Sequence, residues 1–185
     1  MCGLSEFERS VKLADIDTRG KPGTLAMIGA ARKFIAQPQR IITLWGGPGN
    51  AKTAVMMGVV NELISAQCEA VYTTFADLEA WVRDAFDEKR HDEFGNARMR
   101  IERLANVHVL AIDEFDKVKV TAWLDELRFD LLDKRYRSGI DGRTGTLLAM
   151  NCNPATLPEW IYSRLRDGRN VVIENKDRDM RPLMR

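Results

Sequence analysis

Histidine is nearly missing from this sequence: His91 and His108 are the only two in 185 residues. With no CxxC pair either, the usual ligand sets of a zinc site cannot be assembled, and zinc chemistry is not expected. Cysteine is scarce too. Cys2, Cys68 and Cys152 stand far apart and are odd in number, which argues against a disulfide framework and for reduced thiols. No charge of one sign dominates, because 28 lysines and arginines offset 27 aspartates and glutamates. Any contact with nucleic acid would therefore come from local basic clusters and not from a global field. No apolar run approaches the length of a bilayer span, and the start, MCGLSEFERSVK, has no apolar segment flanked by basic residues. Repeats and low-complexity stretches are also lacking. These absences leave a soluble, cytoplasmic protein with no membrane partner as the expectation.

What is present is enough for one core. Apolar residues make up 45% of the chain and charged ones 30%, which fits one folded domain and argues against disorder. Apolar, β-branched runs alternate with longer amphipathic ones. Strands are expected at 41–46, 70–74, 107–113, 145–151 and 170–174. Helices are expected at about 24–36, 52–66, 76–86, 120–137 and 157–166, with a loop and a short helix inside the charged stretch 83–103. Strands that are apolar on both faces and separated by helices predict a three-layer α/β domain around a five-stranded parallel sheet. Trp45 reads as core. Thr24 and Thr74 are candidate helix caps, the latter with Asp77 in a variant capping box, and Asn153 before Pro154 is a candidate turn cap.

The stretch Gly46-Gly47-Pro48-Gly49-Asn50-Ala51-Lys52-Thr53 lies between the first strand and the helix that follows, the context in which a glycine-rich loop wraps phosphates. Consecutive backbone N–H groups and the helix N-terminus favour an anion there. Lys52 would neutralise β- and γ-phosphates, and Thr53 would hold Mg²⁺. The usual glycine before the lysine is Ala51. A methyl group at that position costs about 1 kcal/mol if the backbone must take a positive φ, which predicts weakened, not abolished, binding.

Further along, Val109-Leu110-Ala111-Ile112 runs straight into Asp113-Glu114. There Asp113 can organise Mg²⁺ and Glu114 can polarise a water, the alternative being a solvated acidic turn. The next strand ends at Asn151, which at the carboxyl edge of a parallel sheet can reach a γ-phosphate or the attacking water, or can be a plain turn residue. Arg164 and Arg166 sit on the helix after it. Arginine suits a transferring phosphoryl group, including one held by a neighbouring subunit, although a solvated helical face reads the same way. Lys117, Lys119, Thr121 and Trp123 put two cations beside an aromatic, a pattern suited to single-stranded DNA. Equally, Trp123 can join Leu124, Leu127 and Leu131 on a buried helical face, with Phe86 ending another.

The order of these features resembles the AAA+ ATPases, and within them the DnaC/IstB-like branch that includes bacterial and phage helicase loaders. GGPGNAKT is similar to that family's GxPGxGKT, residues 111–115 (Ala-Ile-Asp-Glu-Phe) to its Walker B segment, and Met150-Asn151 to its sensor 1. The resemblance implies an ATP- and Mg²⁺-dependent ATPase in DNA replication with a P-loop core. ATP would lie on Gly47, Pro48, Gly49, Asn50, Ala51, Lys52, Thr53 and Ala54, and Mg²⁺ on Thr53 and Asp113. Catalysis would fall to Lys52, Glu114, Asn151 and Arg164, the last as an arginine finger because Tyr162-Ser163-Arg164-Leu165 looks like the family's Ser-Arg-Leu segment. Trp160 stands where the family often has a second arginine. Self-association through composite ATP sites is implied, as are single-stranded DNA, touched by Phe86, Lys117, Lys119, Thr121 and Trp123, and a replicative helicase partner. The pattern occupies 13–185 after a short 1–12 extension, and only a vestigial helical lid, or none, is expected. Two other readings remain: an IstB-like transposase helper, and a nucleotide-gated adaptor with little turnover.

Overall fold

Ile41, Ile42 and Leu44 are all buried, so the strand that carries them has no solvent face and must lie inside a sheet covered on both sides. The computed structural model describes residues 5–86, 97–117 and 121–181, and this strand is β1 (Arg40–Gly46). β2 (Ala70–Thr74), β3 (Val109–Asp113), β4 (Gly145–Met150) and β5 (Val171–Asn175) complete a parallel sheet in the order β2-β3-β4-β1-β5. The helices are α1 (Glu6–Arg9), α2 (Pro22–Ala36), α3 (Lys52–Ser65), α4 (Phe75–Arg83), α5 (Ala97–Asn106), α6 (Ala122–Ile140) and α7 (Glu159–Leu165).

Successive strand residues point to opposite faces, and β4 shows the result. Leu147 enters a cluster with Met27, Phe34, Val55 and Val59 of α2 and α3. Leu148 enters the other, with Phe75, Leu78, Leu124, Leu127 and Ile161 of α4, α6 and α7. Both leucines are almost fully buried, and truncating either to alanine should cost about 2–5 kcal/mol. The three layers foreseen from the sequence are thus present. No helix among the described residues is long and apolar enough to cross a membrane. Within the 1–12 stretch, α1 and Val11 dock on α3, where Asn61 Nδ2 donates to the carbonyls of Glu8 and Val11 at 2.8 and 2.9 Å.

Several element ends differ from expectation for local reasons. β3 starts at Val109 and not at 107, because the Val107 amide closes α5 by donating to Arg103. α7 starts at Glu159, after Pro158 in the cap position. Thr121 caps α6 by accepting the Leu124 amide, and Thr74 caps α4 by accepting that of Asp77. Thr24 does not cap α2: Pro22 takes the first turn, and Thr24 is buried inside the helix. Trp45 is partly exposed and leans on the second cluster.

Arg135 of α6 is 1% exposed and, among the described residues, pairs with no carboxylate. Its guanidinium donates to the carbonyls of Leu104, Ala105 and Val107, where α5 ends, to those of His108 and Gly145, and to Thr146 Oγ1. Burial pushes its pKa down, but a ring of acceptors at a helix C-terminus favours the cation. This arginine ties α6 to the amino ends of β3 and β4, leaving their carboxyl ends for chemistry.

Candidate functional site

Parallel pairing sets Trp45 beside Met150 and Thr74 beside Asp113, with Ile112 beside Leu148. The residues that follow each strand, Gly46 onward, Glu114 and Asn151, therefore share the carboxyl edge of the sheet, where open α/β folds bind ligands.

The glycine-rich loop turns through three left-handed positions: Gly46 (φ 138°), Gly49 (φ 70°) and Ala51 (φ 66°). Ala51 does occupy the conformation that favours glycine, so its methyl group carries the cost of about 1 kcal/mol. α3 begins directly after it with no side-chain cap, which leaves the first-turn amides to an outside acceptor, the arrangement that attracts phosphates. Lys52 is buried and folded back, its Nζ donating to the carbonyls of Gly46 (2.8 Å) and Gly47 (2.7 Å) and to Asn50 Oδ1 (2.9 Å). Burial pushes its pKa down while Asp113 and Asp116 pull it up.

Thr53 Oγ1 donates to Asp113 Oδ2 at 2.6 Å. A hydroxyl so engaged keeps its lone pairs for a hard cation, and Mg²⁺ prefers one or two protein oxygens plus phosphate oxygens to an all-protein cage. Thr53 and Asp113 fit that preference. Asp113 is buried and takes two further donors, Tyr72 Oη at 3.0 Å and the Glu114 amide at 2.7 Å. Burial and the facing Asp113 carboxylate drive the Tyr72 pKa far up, so Tyr72 stays a donor. Glu114 itself has φ 54° and forms an ion pair with Lys117.

Asn151 is exposed at the tip of β4, and Asn153 caps the turn after it by accepting the Ala155 amide. Two residues beyond Glu114, Asp116 Oδ2 accepts the amides of Asn151 (2.9 Å) and Cys152 (2.7 Å). Arg164 does not reach outward. Its guanidinium pairs with Asp133 of α6 at 2.5 Å, donates to the Trp160 carbonyl at 2.6 Å and lies over the Phe129 ring. Arg166 is the exposed neighbour, over Tyr162.

Among the residues expected to touch DNA, Lys117 pairs with Glu114, Thr121 is spent on its cap, and Trp123 is half-buried with Arg83 over its ring. Phe86 ends a 3₁₀ turn, Asp84–Phe86. Its side chain, and Lys119 entirely, fall outside the described residues.

Sequence reasoning missed Tyr72, Asp116 and the segment after β5. Asn175 is buried: its Nδ2 donates to the Asn50 carbonyl at 2.9 Å, and its own carbonyl accepts from Asn50 Nδ2 at 3.0 Å. Asp177 accepts the Gly23 and Thr24 amides and the Thr24 hydroxyl, which caps α2 from afar. The Met180 amide donates to the Gly49 carbonyl at 2.8 Å, and a β-carbon on Gly49 would strike the Asp179 carboxylate. Gly49 is thus required twice, by its φ and by this crossing. The run Asn175-Lys176-Asp177-Arg178-Asp179 carried no periodicity that could have revealed these contacts.

No family model matches the sequence, and no curated protein does. Solved structures do. The chain is similar to the DnaC helicase loader (TM-score 0.74, 16% identity, 93% of this chain and 100% of that one). It is also similar to DnaI (0.70, 18%, 97% and 95%) and to AMPPCP-bound DnaA from Aquifex aeolicus (0.73, 13%, 90% and 49%). It spans about half the length of the initiator structures it matches. The likeness is one of fold: the three-layer arrangement around a five-stranded parallel sheet that the sequence led us to expect.

Proposed function

We infer that the chain binds ATP with Mg²⁺ on the loop 46–53 and hydrolyses it, and that it works in DNA replication as a helicase-loader-like ATPase. The observation that carries this reading is the Thr53–Asp113 contact, because it joins the phosphate-wrapping loop to the acid-bearing strand in one oxygen-rich corner. Loop amides and Lys52 would hold the triphosphate, Lys52 exchanging its present carbonyl partners for phosphate oxygens. Thr53 and Asp113 would hold Mg²⁺, which supplies charge neutralisation when bound. Glu114, next to Asp113, would take the proton of the attacking water, and Asn151 would orient that water or the γ-phosphate. In this reading Arg164 serves the site of an adjacent copy, and single-stranded DNA runs past Lys117 and Trp123. The partner named by the similar DnaC structure, a helicase, is the one we assign to this chain.

A nucleotide-gated adaptor with slow turnover is the second reading. Two observations favour it: Arg164 is held by Asp133, and Glu114 is held by Lys117. Steady-state hydrolysis with and without single-stranded DNA separates the two. DNA-stimulated turnover that disappears in Lys52→Ala and Glu114→Gln supports the ATPase. Tight ATP binding without turnover under any DNA condition supports the adaptor.

A further inference from the structure

Asp116 lies outside every motif singled out in the sequence, yet it bridges two of the strand ends on which the site is built. β3 and β4 remain joined two residues past the end of β3, where the Phe115 amide donates to the carbonyl of Ala149, inside β4, at 3.0 Å. Beyond that point no further backbone pairing joins the two tips among the described residues, and the Asp116 carboxylate takes its place. One oxygen, Oδ2, accepts two consecutive amides, Asn151 at 2.9 Å and Cys152 at 2.7 Å. Convergent amides on a single anion fix the backbone of both residues. The other oxygen, Oδ1, is shut off from solvent and has no hydrogen-bond partner. The negative charge of this carboxylate is also felt by Lys52.

We propose that Asp116 is a positioning residue for ATP hydrolysis: it locks the tip of β4 so that the Asn151 side chain stands in register with Glu114, two residues before Asp116. This rests on the ATPase reading above. In this proposal Asp116 acts on the reaction through Asn151, whose backbone amide it holds.

The test is steady-state ATP hydrolysis, with ATP affinity measured separately, for wild type, Asp116→Ala, Asp116→Asn, Asn151→Ala and the Asp116→Ala/Asn151→Ala double variant. A misplaced orienting group costs roughly 10- to 100-fold in rate, so Asp116→Ala should lose that much kcat while its ATP dissociation constant stays within about twofold. Asp116→Asn keeps a carbonyl oxygen for the two amides and should recover most of the rate. The double variant should be no slower than Asn151→Ala, since both changes disable the same device. A merely structural role would instead lower Tm and leave kcat per folded molecule unchanged. If Asp116→Ala folds poorly, Asp116→Glu carries the same test, because it keeps the charge and displaces the oxygens by one methylene.

Wild-type kcat in Asp116→Ala or Asp116→Glu, or rate losses that multiply in the double variant, would overturn the proposal with the ATPase reading intact. A wild-type protein that binds ATP without turnover would overturn both together, and the comparison of variants could not then be mistaken for the cause.

Discussion

Thr53 Oγ1 and Asp113 Oδ2 lie 2.6 Å apart across 60 residues of sequence, and this contact makes the glycine-rich loop and the acid-bearing strand one unit. Removing the hydroxyl with Thr53→Val keeps the shape and leaves Asp113 with one donor fewer. A hydrogen bond to a charged group contributes about 1.5–3 kcal/mol, so ATP affinity in the presence of Mg²⁺ should fall by roughly 10- to 100-fold. ADP affinity without Mg²⁺ should barely change. Calorimetry with and without the cation reads the difference, and an equal loss in both conditions would contradict the assignment of Thr53 to Mg²⁺.

Ala51 sits at φ 66°, so glycine should be better there, the reverse of the usual effect of glycine beside a helix. Ala51→Gly should gain about 1 kcal/mol, a rise of about 2–4 °C in Tm for a chain of this size. Thermal unfolding checks this, and a lowered Tm would show that the left-handed position carries no strain.

Asp133 holds Arg164 at 2.5 Å and Arg137 at 2.8 Å, and its side chain is largely buried. If Arg164 serves a neighbouring copy, it must leave this pair. Asp133→Asn should then raise turnover at concentrations where the protein assembles, without altering ATP affinity. Arg164→Ala should lower turnover, and mixing it with Glu114→Gln should restore part of the activity through composite sites. Mixtures as inactive as their components, under conditions where assembly is observed, would count against the trans role.

Asp177 caps α2 from 153 residues away. Desolvation raises its pKa, but the Thr24 hydroxyl and the amides of Thr24 and Gly23 outweigh it, and the pKa lies below the ordinary carboxylate value. The folded state thus binds fewer protons than the unfolded chain just below that value. Its stabilisation is present at neutral pH and lost as pH falls through the acid range. Asp177→Asn should cost up to about 1 kcal/mol at pH 7, as a lost cap does. Tm profiles of the two proteins should converge below about pH 4, and parallel profiles would contradict the cap.

Those contacts also mark what the sequence could reveal. Strands with two apolar faces, a glycine loop between strand and helix, and carboxylates at a strand end are local patterns, and each appears where local chemistry places it. Tyr72, Asp116 and Asp177 are different. Each acts on a partner between 35 and 154 residues away, chosen by sheet order and not by spacing. Thr24 shows the same limit from the other side: its local promise as a cap is overridden by Pro22 within the first turn and by the distant Asp177. Arg164, expected from the sequence to serve a neighbouring subunit, pairs within the chain with Asp133, one helix earlier, which no helical period connects to it.

The central claim is that a triphosphate lodges among the amides of residues 46–53. Titration calorimetry of the folded protein with ATP and Mg²⁺ tests it most directly. The account predicts saturable one-to-one binding that vanishes in Lys52→Ala while that variant keeps the wild-type circular dichroism. Folded wild-type protein that takes up no ATP at millimolar concentration, or a Lys52→Ala variant that binds as the wild type does, would contradict it.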